Sequence, residues 1–337
     1  MTGSRAGRVA IIGCGLIGAK RAKSLGESTL VACCDAIPDR AAALARACGA
    51  TSQSDWRDVI AREDVDIVIV ATTNESLAPI ALAAIEAGKH VLVEKPGARS
   101  VGEIEPLITA AKARDVRVRV GFNHRYHPAL QKARELIDDG ACGDLMFVRG
   151  RYGHGGRIGY DKEWRADPAL AGGGELIDQG VHVIDLARWF LGDFTRVEGY
   201  AGTYFWQMPV DDNAFLLLRT EKNLAAFLHV SCTEWKNLFS FEIYGRNAKL
   251  HIEGLGGSYG IEKLSHYQMK PEMGIPDTKV YEFPGSDESW LIEMKRFEED
   301  IQMRRTPDAS LAEAKAALQI VEEIYRKSGF DFATSKP

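Results

Sequence analysis

The chain has 337 residues, 45% hydrophobic and 26% charged, a globular composition that excludes a wholly disordered polymer and leaves room for two domains. Its net charge of −5 lacks the basic surplus of a general polyanion binder, so neither nucleic acid nor an anionic membrane is an expected partner. None of the six cysteines stands in a C-x-x-C pair and no run of about 18 apolar residues occurs, which argues against a metal site, a disulfide framework and a membrane span. The opening MTGSRAGRVAIIGCG has no apolar signal stretch, so a cytoplasmic location is expected.

Residues 9–12 form a short apolar run ending at Gly13, and 16–25 suit a helix. A second run at 30–34 precedes the alanine-rich segment 39–48. Then come a run at 66–70, a helix at 77–87 closed by Gly88, a run at 90–93, a helix at 101–113 and a strand at 116–120. Continuous apolar strands alternating with helices predict a parallel sheet covered on both faces. Right-handed crossovers make it a doubly wound α/β domain over residues 1–122. The remainder, 123–337, reads as an α+β domain. A helix at 128–137, a strand at 144–151 and a helix at 175–191 lead into long β-runs with short turns across 195–252, a large open mixed or antiparallel sheet. Helices at 288–303 and 311–327 close the chain, the last announced by Ser310 and Glu313 as a capping box and stopped at Gly329.

Gly13-Cys14-Gly15-Leu16-Ile17-Gly18 is a G-x-G-x-x-G between the first strand and the first helix. Its glycines serve a tight turn, backbone approach to a pyrophosphate and close helix–strand packing. Asp35 closes the second strand, near the ~20-residue spacing of a ribose-binding carboxylate. A carboxylate there favours NAD and repels the 2′-phosphate of NADP, whereas Arg40 would offset that repulsion unless it is only a solvated helix residue.

Glu94-Lys95-Pro96 follows a parallel strand directly, which places Lys95 at the carboxyl end where such sheets bind ligands. A lysine beside a nicotinamide cation suits proton exchange, although a surface Lys-Pro gives the same pattern. In the stretch GGGELIDQGVH at 172–182, Asp178 and His182 are spaced i, i+4 on one helix face, with Asp185 further along it. A carboxylate beside an imidazole orients the ring for proton handling, and a structural His–Asp pair is the plain alternative.

Taken together, the glycine motif, the EKP at 94–96, the GFNHR at 121–125 and the GGG-x-x-x-D-x-x-x-H at 172–182 resemble the Gfo/Idh/MocA oxidoreductase family. The resemblance covers nearly the whole chain. It implies a Rossmann domain, a second domain whose open sheet forms a homo-oligomer (dimer or tetramer), and hydride transfer between NAD or NADP and a secondary hydroxyl or ketone of a sugar or polyol. It also implies Lys95, Asp178 and His182 as catalytic residues and Trp164-Arg165 as reaching the cofactor. Cofactor contacts are expected at Gly13, Gly15, Leu16, Ile17, Gly18, Asp35, Arg40, Thr72, Thr73, Asn74, Glu94, Lys95 and Asn123. The family's T-P-N followed by histidine is replaced here by Thr72-Thr73-Asn74 and Leu77.

Residues 149–165 carry five basic and two acidic residues among several glycines. They read either as a substrate loop for an acidic or nucleotide-linked sugar or as a solvated strand and turn. Arg125, His154 and Arg157, with Lys95, Asp178 and His182, are the expected substrate contacts. Aromatics abound between 200 and 235, but alternating positions also suit a buried sheet face, so none is nominated. Two other functions are open on this fold: a glycosidase that keeps NAD bound and oxidises the sugar transiently, which the same lysine, aspartate and histidine would serve, and a non-catalytic dinucleotide sensor, against which the presence of Lys95, Asp178 and His182 together speaks.

Overall fold

The computed structural model describes residues 7–272 and 274–331. The chain divides into two compact units. One holds the chain through Phe122 together with Trp290–Lys315, and the other holds Asn123–Ser289 and the chain from Ala316 onward.

In the first unit six strands, β1 Arg8–Ile12, β2 Thr29–Cys34, β3 Thr51–Gln53, β4 Ile67–Val70, β5 His90–Val93 and β6 Val118–Val120, alternate with helices α1 Leu16–Ala22, α2 Pro38–Cys48, α3 Trp56–Ile60, α4 Asn74–Glu86 and α5 Val101–Arg114. All strand pairs are parallel and the order is β3-β2-β1-β4-β5-β6. The order reverses at β1, so the crevice beyond its carboxyl end is the topological switch point of the sheet. Val9, Ile11, Ile69 and Leu92 are fully buried, as strands covered on both faces require. Ser100 and Asp55 cap α5 and α3 by accepting from backbone amides.

The second unit is built on an eight-stranded mixed sheet of β7 Leu145–Gly153, β8 Phe194–Gly202, β9 Asn213–Thr220, β10 Ala225–Ser231, β11 Leu238–Gly245, β12 Ala248–Glu253, β13 Glu262–Gln268 and β14 Asp277–Phe283, in the order β14-β13-β12-β11-β7-β10-β9-β8. Only β7 and β10 run parallel. Burial alternates strictly along β11, so one face is a core and the other is open. Helices α6 Pro128–Asp138, α7 Pro168–Ala171 and α8 Val181–Leu191 belong to this unit, and α8 lies against β7 and β10. Gly150 leaves room for its cross-strand neighbours, since a Cβ there would stand 3.0 Å from the Leu228 and Phe241 side chains.

The closing helices are α9 Ser289–Gln302 and α10 Leu311–Ser328. Segment 290–315, placed by the sequence in the second domain, packs in the first unit instead: Met294 and Phe297 are buried in one cluster with Val9, Ile11 and Leu92. Before α10, Ser310 accepts from the Ala312 amide and Glu313 accepts from the Ser310 amide, the reciprocal capping box. No described helix is long and apolar enough to cross a membrane.

Candidate functional site

The turn after β1 shows three glycines with three separate causes. Gly13 has φ +94, and a Cβ there would lie 2.4 Å from the Ala71 carbonyl oxygen. Gly18 brings α1 onto the turn so closely that a Cβ would meet the Gly13 oxygen at 1.9 Å. Around Gly15 a Cβ would touch nothing within 4 Å, so the backbone there faces open space that a side chain would fill. Such a cradle fits a dinucleotide pyrophosphate. Leu16 stands 76% exposed beside it. Asp35 is fixed at the edge of the turn, accepting from the Cys14 amide at 2.7 Å and the Ile37 amide at 2.8 Å. Arg40 is exposed on α2. After β4, Thr73 donates to Glu75 at 2.7 Å, and Leu77 is fully buried where the family's histidine would stand.

Lys95 follows β5 directly, and the Lys95–Pro96 bond is cis. Glu94, expected at the cofactor, is turned instead into a buried ion pair. Its Oε1 accepts from Arg21 Nε at 2.6 Å, while Arg21 Nη1 donates to Glu293 at 2.5 Å. The Arg21 guanidinium also lies over the Trp290 ring, 4.4 Å from its centroid. Gly121 is required here, because a Cβ would stand 2.8 Å from both Arg21 Nη2 and Glu94 Oε2.

In the second unit the expected helix over 175–191 begins as a π-helical turn, Leu176–Gly180, and continues as α8. Asp178 lies in the wide turn and His182 in the first turn of the α-helix that follows. Such π-turns occur often at functional sites. Asp211, fully buried, accepts from the Gly174 amide at 2.9 Å, the Leu176 amide at 2.8 Å and the Tyr325 hydroxyl at 2.7 Å. These contacts explain two glycines of the GGG. A Cβ on Gly174 would strike the Asp211 backbone carbonyl oxygen at 2.0 Å, and one on Gly173 the Tyr325 hydroxyl at 2.3 Å. Burial pushes the Asp211 carboxyl up to about 6, against the pull of Tyr325 and the two amides.

Asp178 accepts from Arg165 Nε at 2.9 Å, and this carboxylate, more than any other influence, holds the guanidinium charged. The Arg165 side chain also lies over its neighbour Trp164. His154 Nε2 lies 3.7 Å from the buried Glu175 carboxylate. Burial opposes a charge on that ring, yet Glu175 outweighs it and the His154 pKa is raised. His182 is 4% exposed and stacks on His124, ring centroids 3.7 Å apart at 18°. Tyr152 closes on His124 edge-on at 5.1 Å.

Several expected site residues are placed elsewhere. Arg125, assigned to substrate, is 3% exposed and forks onto Asp185 at 2.7 and 2.6 Å, which also removes Asp185 from the Asp178–His182 pair. Asn123, assigned to cofactor, donates to Ser289 at 2.9 Å inside the second unit. Arg157 is exposed and pairs with Glu163 at 2.7 Å. Conversely His124, Tyr152, Glu175 and Asp211 surround the Asp178–His182 turn without having been singled out. Only the GFNHR and GGGE motifs hinted at two of them.

Two family models match the chain: "Oxidoreductase family, NAD-binding Rossmann fold" over residues 7–122 and "GFO/IDH/MocA C-terminal domain" over 130–251. Levoglucosan dehydrogenase of Pseudarthrobacter phenanthrenivorans is 38% identical over 187 residues, 52% of this chain and 46% of that protein. The match to several such curated relatives spans about half their length. The scyllo-inositol 2-dehydrogenase (NAD(+)) of Bacillus subtilis is 27% identical over 333 residues, 93% of this chain and 91% of that one. Among solved structures, levoglucosan dehydrogenase in complex with NADH and levoglucosan superposes with TM-score 0.85 at 26% identity, covering 96% of this chain and 98% of the other. With both domain models matched in order across most of its length, this chain belongs to the Gfo/Idh/MocA oxidoreductase family.

Proposed function

We propose that the protein is an NAD-dependent dehydrogenase or reductase acting on a secondary hydroxyl or ketone of a sugar, polyol or sugar derivative. The observation that carries this reading is the π-helical turn that sets a carboxylate and a buried imidazole four residues apart, with Arg165 already on the carboxylate. The Gly13–Gly18 turn and Asp35 would hold the dinucleotide, with Thr72–Asn74 beside them. Bound NAD supplies the hydride acceptor or donor at its nicotinamide ring. The chain handles the proton and the substrate. His182, stacked on His124, exchanges a proton with the reacting hydroxyl. Asp178, fixed by Arg165, accepts from a neighbouring hydroxyl. Lys95 polarises the reacting oxygen and assists the relay. A cytoplasmic homo-oligomer assembled through the open face of the eight-stranded sheet completes the reading.

The test is nicotinamide absorbance with NAD and NADP separately, across free sugars, inositols, sugar acids and nucleotide-linked sugars. NAD-dependent turnover of any sugar or polyol supports the reading, and His182→Asn should then lower kcat on the order of 10²–10⁴-fold with little change in NADH affinity. Tight cofactor binding without net turnover overturns it. Sugar release would then mark a glycosidase that retains its cofactor, and no sugar release a sensor.

A further inference from the structure

The aromatic residues of the second unit's loops have no part in the proton machinery. Phe205 and Trp206 lie off the strands, between β8 and β9, and Trp235 lies between β10 and β11. Their setting is rigid. The amides of Phe205 and Trp206 both donate to Asp212 Oδ2, at 2.7 and 3.0 Å, and Asp212 is itself fully buried. Trp206 Nε1 donates to the Cys232 carbonyl at 3.0 Å. Yet Phe205 remains 52% exposed and Trp235 71% exposed, the latter at φ +60, a backbone conformation that costs a bulky residue energy. A pair of rings left in water, one of them on strained backbone, is not a product of core packing.

The rings lead to the candidate site. Phe205 and Trp235 meet edge to face, centroids 4.9 Å apart at 84°. Phe205 contacts Trp206 at 5.1 Å, Trp206 contacts Tyr160 at 5.6 Å and Tyr160 contacts His154 at 5.4 Å. The Trp235 backbone also lies on Gly155, where a Cβ would stand 2.9 Å from it, and the Glu234 amide donates to the His154 carbonyl at 3.0 Å. The platform is therefore continuous with His154, whose other flank faces Glu175. Glu234 and the exposed Arg151, 3.4 Å apart, give its rim polar groups. Apolar ring faces beside a few polar groups suit a pyranose, whose C–H face stacks while its hydroxyls hydrogen-bond.

We infer that Phe205 and Trp235 form a stacking subsite for a second ring, so the substrate is a glycoside or oligosaccharide rather than a bare monosaccharide. This rests on the sugar oxidoreductase reading above. The test is calorimetric titration of the full chain, saturated with NADH, using methyl β-glucoside, phenyl β-glucoside and cellobiose. Phenyl β-glucoside or cellobiose should bind about tenfold more tightly than the methyl glycoside. Phe205→Leu and Trp235→Ala should abolish that advantage, and Trp235→Tyr should restore it. Equal affinities for all three ligands, or variants that leave the ratio intact, would overturn the subsite. So would a change of mass in light scattering without a change of ratio, because the rings would then serve contact with a second copy. Failure of the dehydrogenase reading shows separately, as an intact binding ratio with no nicotinamide turnover.

Discussion

Asp35 accepts from the amides of Cys14 and Ile37, which fixes its carboxylate at the edge of the Gly13–Gly18 turn. A 2′-phosphate brought to that edge would meet a fixed negative charge, whereas ribose hydroxyls would meet an acceptor. Asp35→Ser should therefore weaken NADH about tenfold and bring NADPH affinity close to that of NADH, measured by fluorescence titration of both. Unchanged discrimination would mean that another group sets the choice. The position of this residue at the turn was legible because it depends on spacing along one βαβ unit. Arg125 and Glu94 were not, since each is neutralised by a residue distant in sequence, Asp185 and Arg21. Only packing decides whether such a charge serves a ligand or a partner inside the fold.

At the scale of elements, a helix over 175–191 was legible from composition, but the widened turn at Leu176–Gly180 was not. Its cause lies outside the segment, in the Asp211 carboxylate and the Tyr325 hydroxyl. Tyr325 comes from α10, so no local pattern announces it. The Asp211 carboxyl, raised to about 6 from an ordinary 3.8, holds its proton more tightly in the folded chain. The stability this contributes is fully present below the unfolded value. It falls as pH rises toward about 6 and is constant above. Removing the titration in Asp211→Asn should flatten that decline, and the NMR signal of the Leu176 amide, which donates to this carboxylate, should shift with pH with a midpoint near 6 in the unsubstituted protein. The same variant turns one of the two accepting oxygens into an NH2 group, which meets either the Leu176 amide or the Gly174 amide and the Tyr325 hydroxyl, so kcat should fall about tenfold with KM little changed. An amide signal indifferent to pH, or a loss confined to KM, would show that Asp211 does not position the turn.

At the scale of the molecule, the open face of the eight-stranded sheet carries one continuous row across its strands: Glu198, Leu217, Phe227, Arg149, Glu242 and His251. The row is apolar toward β9 and β10, where Leu217 and Phe227 are each 49% exposed, and Tyr200 and Phe215 extend the patch along the next row. Toward β7 and β11 it is charged, with Arg149 paired to Glu242 at 2.7 Å. An exposed apolar patch rimmed by ion pairs marks an association surface, and a flat sheet face suits a two-fold contact with another copy. Light scattering should thus give a multiple of the 37.0 kDa chain mass. Phe227→Glu, which sets a charge at the centre of the patch, should return it to one chain with the circular dichroism of the folded protein retained. A monomer before substitution would leave the patch without a second copy to cover it, and an oligomer that survives Phe227→Glu would place the contact on another surface.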